Sequence, residues 1–194
     1  MLAYTFWHWR RPETEAKEYE RRQRAFHAAL AAAPSPGFLR SSSAGLSGAP
    51  WAAGGGDAYE DWYLVEDFGA LGAMNDAAVS ASRAAPHDAA AAVASGGVAG
   101  VYRLRSGAAL RSPGVGHWFG KPEGMSYGEL FARLTPVVEQ AGAALWMRQM
   151  VLGPGEFCLH AAAPVALPAP LDPRVIPLRP VWPDLAGTGA APAR

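Results

Sequence analysis

The feature that most constrains this chain is the order in which its periodic segments follow one another. Residues 3–10 (Ala3-Tyr4-Thr5-Phe6-Trp7-His8-Trp9-Arg10) are dense in aromatics, which favour a pleated surface, and they stop at Pro12. Residues 13–33 then carry Tyr19, Phe26 and Leu30 at helical spacing and end at Pro34-Ser35-Pro36-Gly37. A short strand is expected over 38–43, followed by a Gly/Ser/Pro loop over 44–56 around Trp51. Residues 59–66 read as a strong strand. Phe68, Leu71, Met74 and Ala78 mark a second helix, which Pro86 interrupts and 87–94 resumes before a fourth strand over 98–105. The order is β-α-β-β-α-β.

That order is the split arrangement of a ferredoxin-like plait, in which two helices cover one sheet face and the other face needs a partner. The remainder of the chain supplies one. Residues 117–121 are strand-like, and Ser126-Tyr127-Gly128-Glu129 is a capping box. Leu130, Phe131, Leu134, Val137, Val138 and Ala141 follow as an apolar stripe, with Pro136 expected to kink the helix and Gly142 to stop it. Strands over 143–152 and 156–162 complete a second β-α-β-β run. The segment 164–183 is then too rich in proline for a helix or a strand, and an extended wrap is expected. The expected fold class is therefore α+β, with tandem ferredoxin-like units and the second incomplete. The first unit covers 1–110, the second 111–163, and a Pro-rich tail 164–194. A short echo supports duplication: His8-Trp9 and His117-Trp118 each precede a Pro-Glu pair and a helix.

Composition removes several functions. Lys plus Arg and Asp plus Glu both number 17, so no global field recruits nucleic acid or an anionic membrane. The basic run Arg21-Arg22-Gln23-Arg24 follows Glu13, Glu15, Glu18 and Glu20, which suits a solvated helix face. Cys158 is the single cysteine, so neither an intrachain disulfide nor a Cys-rich metal site can form, and no two histidines have a helical metal-binding spacing. No Walker or Rossmann fingerprint is present. No stretch approaches the length of a membrane span, and a cytoplasmic protein is expected.

The strand Trp62-Tyr63-Leu64-Val65-Glu66, the helix opening Asp67-Phe68-Gly69-Ala70-Leu71 and the later Pro86-His87 carry a resemblance. Over about residues 3–162 the chain resembles the dimeric α/β-barrel superfamily. Its members include cofactor-independent monooxygenases, haem-degrading monooxygenases and chlorite-dismutase-like proteins. The resemblance implies that two plaits bring their open faces together into a barrel. Haem-degrading members use an Asn, a Trp and a His; Asn75, Trp62 and His87 are present, but no matching of position carries those roles over.

Strand alternation nominates the site. Tyr4, Phe6, His8 and Arg10 share one face of the first strand. On the fourth, Tyr102 and Leu104 are expected to face the helices, leaving Val101, Arg103 and Arg105 opposite. Facing sheets would then enclose His8, Arg103, Arg148 and His160, with Asp61 or Tyr63, beside Trp146. His8 and His160 are the candidate catalytic residues. Arg103, Arg148, Asp61, Tyr63, Trp146 and His117 are the candidate ligand-binding ones, His117 because it echoes His8. The bland alternative is that these groups pair across a dry interface or sit at strand ends in water. Cys158 reads as a buried, inert thiol. Three functions compete. The first is an enzyme, such as a cofactor-independent oxygenase or isomerase, acting on a small aromatic compound between the two sheets. The second is a non-catalytic binding or assembly protein forming a homodimer through its sheet face or tail. The third is a haem protein using His8, His117 or His160. No metal and no other cofactor is expected.

Overall fold

A computed structural model describes residues 1–52, 57–150 and 153–183. The glycine run 54–56, the end of the expected strand at 151–152 and the last part of the expected tail, 184–194, lie outside the described residues.

The first half comprises strand β1 (Leu2–Arg10), helix α1 (Ala16–Ala32), strands β2 (Phe38–Leu46) and β3 (Ala58–Val65), helices α2 (Phe68–Ala78) and α3 (Ala84–Ala91), and strand β4 (Ala94–Gly107). The second half comprises β5 (Val115–Phe119), α4 (Tyr127–Ala141), β6 (Ala144–Met150), β7 (Phe157–Ala161) and β8 (Arg174–Trp182). Local signals account for most boundaries. The Asp67 side chain accepts the Ala70 N–H at the start of α2, and Ser126 accepts the Glu129 N–H at the start of α4. Gly142 takes the left-handed conformation (φ 56°) that ends α4. Pro136 lies within α4. Pro86 opens α3 rather than interrupting it, because its missing N–H costs nothing in the first turn of a helix. On α1, Arg21 and Arg22 pair with Glu18, and Arg24 with Glu20, so the basic run is an ion-paired helix face.

The strands close into one antiparallel barrel in the order β1-β3-β2-β8-β5-β7-β6-β4. Within each half the fourth strand lies beside the first, then the third, then the second. The tail thus departs from expectation: it lacks a helix among the described residues but supplies strand β8, which joins β5 to β2 and closes the barrel within one chain. Preceding it, the segment 162–173 covers the outer face of the second half, where Leu167 and Leu171 pack on the α4 core.

The barrel interior is solid. Ala3, Trp7, Trp62, Tyr102, Trp118, Trp146, Cys158, Ile176 and Leu178 form a single buried cluster. Their rings meet mostly tilted or edge-on, with Trp7–Trp118 centroids at 5.5 Å and Trp62–Trp146 at 5.1 Å. Glu60 is buried there, its Oε2 accepting from the Trp7 indole and its Oε1 from the Trp62 indole, each at 3.1 Å. The pairing of Tyr4 with Val101 corrects the reading of β4: Val101 faces outward, and Tyr102 and Leu104 face the interior. Apolar strand residues are expected on the helix side, but the barrel interior is the more aromatic of the two.

Candidate functional site

Because the interior is filled, it offers no chamber between facing sheets, and the residues expected to line one are dispersed. Arg103 is exposed and bonds Gln149 through Nε. Arg148 lies at a barrel end, donating to the Gly153 carbonyl. Trp146 is packed in the aromatic core. His160 does face the interior, edge-on to Trp62 at 4.4 Å and 3.6 Å from Glu60, within packed side chains. His117 faces outward beneath the tail. Its Nδ1 donates to the Leu159 carbonyl and its Nε2 accepts the Val165 N–H, so it is a structural clamp in which burial pushes the imidazole pKa down.

His8, Asp61 and Tyr63, by contrast, converge. They lie on the outward face of β1 and β3, under the helices of the first half, at the floor of a cavity of about 640 Å³. The walls are mostly apolar: Tyr4, Phe6, Phe26, Leu30, Met74 and Val101 among others, with α2 and α3 as the cover. That volume is in the range of pockets that hold drug-sized ligands.

The floor is a fully buried polar cluster. Asp61 Oδ2 receives the Tyr63 hydroxyl at 2.8 Å and faces the Nε2 atoms of His8 and His27, each at 3.2 Å. The imidazole contacts are charge contacts at hydrogen-bonding distance rather than well-aligned bonds. Asp61 Oδ1 has no partner among the described residues. Burial alone would raise the Asp61 carboxyl pKa, but the two imidazoles outweigh it and hold the group well below its usual range, so it is a carboxylate. With a carboxylate opposite Nε2, each imidazole is assigned a proton on that nitrogen, and its Nδ1 is assigned as an acceptor. His8 Nδ1 accordingly accepts from the Tyr19 hydroxyl at 2.5 Å, and His27 Nδ1 from the Ser41 hydroxyl at 2.7 Å. Tyr19 and Tyr63 are pushed up by burial and by the charge of Asp61, and Tyr59, 4.9 Å from the Tyr19 ring, is pushed up to about 12.

Tyr19, Gln23 and His27 were missed as site residues. The signal was present, since all three share the buried stripe of α1 with Phe26 and Leu30, and polar groups on such a stripe need partners. Asn75 and His87 also line the cavity, whereas Trp62 points away from it into the barrel. Cys158 is buried, and its thiol pKa is pushed well up by burial and by Glu60. Iodoacetamide is therefore expected to leave it unmodified in the folded protein and to label it fully in urea, read as a mass shift. Among the described residues no group of three or more His, Cys, Asp or Glu side chains converges on a metal-sized site, and no helix is long and apolar enough to cross a membrane.

The closed barrel of two four-stranded halves with helices outside is a fold shared with solved structures. The chain is similar to a solved structure from Fusobacterium nucleatum subsp. nucleatum, provisionally named a monooxygenase. The two are 9% identical with a TM-score of 0.57, over 82% of this chain and 74% of that one. A provisionally named chlorite dismutase (11% identity, TM-score 0.48, 92% and 94% of the two chains) is also similar. So is a provisionally named monooxygenase from Lactobacillus acidophilus NCFM (15%, 0.46, 83% and 77%). No protein-family model and no curated protein matches the chain.

Proposed function

We propose that this protein binds a small, largely apolar ligand beneath α1, α2 and α3, and that Asp61, His8 and Tyr19 move a proton there. The observation that carries the reading is one buried carboxylate cluster at the floor of an otherwise apolar cavity. Tyr19 and His8 both line that cavity. A ligand proton passing to Tyr19 as Tyr19 passes its own to His8 would leave an imidazolium facing Asp61, which compensates its charge. Proton removal is common to the isomerase and cofactor-independent oxygenase readings: an isomerase returns the proton to another atom, and in an oxygenase the ligand anion donates an electron to dioxygen. The two halves of the barrel are read as tandem ferredoxin-like units of which only the first keeps a ligand site. In the second, the 162–173 segment lies over the corresponding face.

The test is direct. A panel of uncharged fused-ring aromatics should raise the melting temperature of the protein and shift the His8 imidazole ¹⁵N resonances while leaving those of His117 unmoved. Ala78→Phe, which adds bulk to the cavity wall, should abolish both effects. Binding that survives Ala78→Phe would place the ligand elsewhere.

A haem reading rests on a different observation. Neither His8, His117 nor His160 presents a free ring nitrogen to a cavity, but His87 does line one, and its Nδ1 faces Asp88 Oδ1 at 3.0 Å. His87 would hold the iron, which would supply dioxygen activation. Among the described residues no Lys or Arg lines the cavity to receive propionates. A Soret shift on adding hemin that His87→Ala removes would support this reading, and an unshifted Soret band would end it. Of the two surfaces offered for a homodimer, the open sheet face is closed within one chain by β8, which leaves the tail.

A further inference from the structure

Accepting the cavity as a ligand site, its floor also states what the ligand must bring. Three donors crowd onto one oxygen of Asp61: the Tyr63 hydroxyl and the Nε2 atoms of His8 and His27. The other oxygen, Oδ1, is buried in a residue that lines the cavity, and it accepts from nothing among the described residues. Two further donors nearby are committed, Tyr19 to His8 and Ser41 to His27. Asp61 Oδ1 is thus an unfilled acceptor at the floor, and it carries negative charge.

We infer that the cavity selects aromatic ligands that enter donor-first, with a ring hydroxyl or ring amine delivered to Asp61 Oδ1. A hydrocarbon of the same shape would leave a buried carboxylate oxygen dry and unpaired. A carboxylate, sulfate or phosphate end would meet Asp61 with no Lys or Arg among the described residues of the cavity wall to offset it. A phenol or an aromatic amine completes the carboxylate while its rings pack against Tyr4, Phe6 and Phe26. Discrimination of this kind comes from the penalty on the mismatched ligand rather than from extra contact area.

The experiment is a calorimetric titration of the intact protein with four probes of one skeleton: 2-naphthol, 2-naphthylamine, 2-methoxynaphthalene and 2-naphthoate. The naphthol and the amine are expected to bind roughly ten- to a hundredfold more tightly than the methoxy compound, with the naphthoate weakest. A stronger naphthol assigns the hydroxyl as the group read, and a stronger naphthylamine the amine. If the methoxy compound equals the naphthol and Ala78→Phe abolishes both, the cavity remains a ligand site and the donor rule is wrong. If Ala78→Phe changes nothing, or no probe binds, the cavity reading itself falls and the inference with it. In Asp61→Asn, where that protein folds, the preference for naphthol over the methoxy compound should shrink to less than about threefold. The wild-type series decides the matter if it does not fold.

Discussion

Replacing Asp61 with alanine is expected to destabilise the protein by about 3–5 kcal/mol, because it removes the acceptor from the middle of a dry cluster and leaves its donors behind. His8, His27 and Tyr63 all point at Asp61 Oδ2, and all are buried. Without the carboxylate, two imidazole N–H groups and a phenol lose their shared acceptor at once, and each desolvated donor carries its own penalty. Urea unfolding at neutral pH is the measurement, and a loss under about 1 kcal/mol would show that the cluster is held by packing alone. The pH dependence has a definite sign. A carboxyl whose folded pKa lies below its unfolded value contributes stability above the ordinary carboxylate range and loses it as pH falls through the folded pKa. For Asp61 that loss falls below the ordinary value of 3.8, so the difference between wild type and Asp61→Ala should persist at mildly acidic pH and close only in strong acid.

Trp62→Ala should cost a comparable amount, about 3–5 kcal/mol, for a different reason. Trp62 lies at the centre of the interior, its ring within 6.2 Å of those of Tyr102, Trp118, Trp146 and His160. Deleting it opens a hole in a rigid barrel whose walls are tied by strand pairing and cannot collapse inward. It also strips Glu60 Oε1 of its indole donor. Trp62→Phe refills most of the space but not the hydrogen bond, so it should cost less than alanine and more than a pure volume change. Thermal unfolding with near-ultraviolet circular dichroism, which reports the coupled indoles, distinguishes the two substitutions. Equal stability for the alanine and phenylalanine variants would refute the packing account.

The element order was legible because strand and helix periods are local. Tyr19, Phe26 and Leu30 announce α1, and Ser126 with Gly142 brackets α4, with no help from the rest of the fold. The faces were harder. The alternation of β1 was read correctly, yet His8 was placed inside a chamber because nothing local says whether a plait's open face or its helical face has room. That depends on the size of the interior side chains contributed by distant strands, and here Trp7, Trp62, Trp118 and Trp146 leave none. Asp61 and Tyr63 were nominated for the space between the sheets and lie instead outside the barrel, beside His8.

Strand β8 escaped notice because Pro177 and Pro180 argue against a strand inside a sheet. The pairing shows how they are tolerated. Residues 174–177 pair with β5 and residues 178–182 with β2, so β8 passes from one neighbour to the other instead of lying fully between both. Many of its backbone N–H groups face no partner strand, and proline there forfeits little. Ile176, Leu178 and Val181 still reach the core.

That handover also sets an order of assembly. β8 is synthesised after every other strand of the barrel, and until it emerges β2 and β5 each present a bare edge able to pair with a foreign strand. The walls of the cavity come from β1, α1, β3, α2, α3 and β4, with Met150 contributed later as the one such residue among those described. A nascent chain can therefore form nearly all of this cavity while the barrel is still an open sheet. A ligand of the proposed kind, taken up at that stage, would favour the first half's native packing while the bare edges still await their last strand.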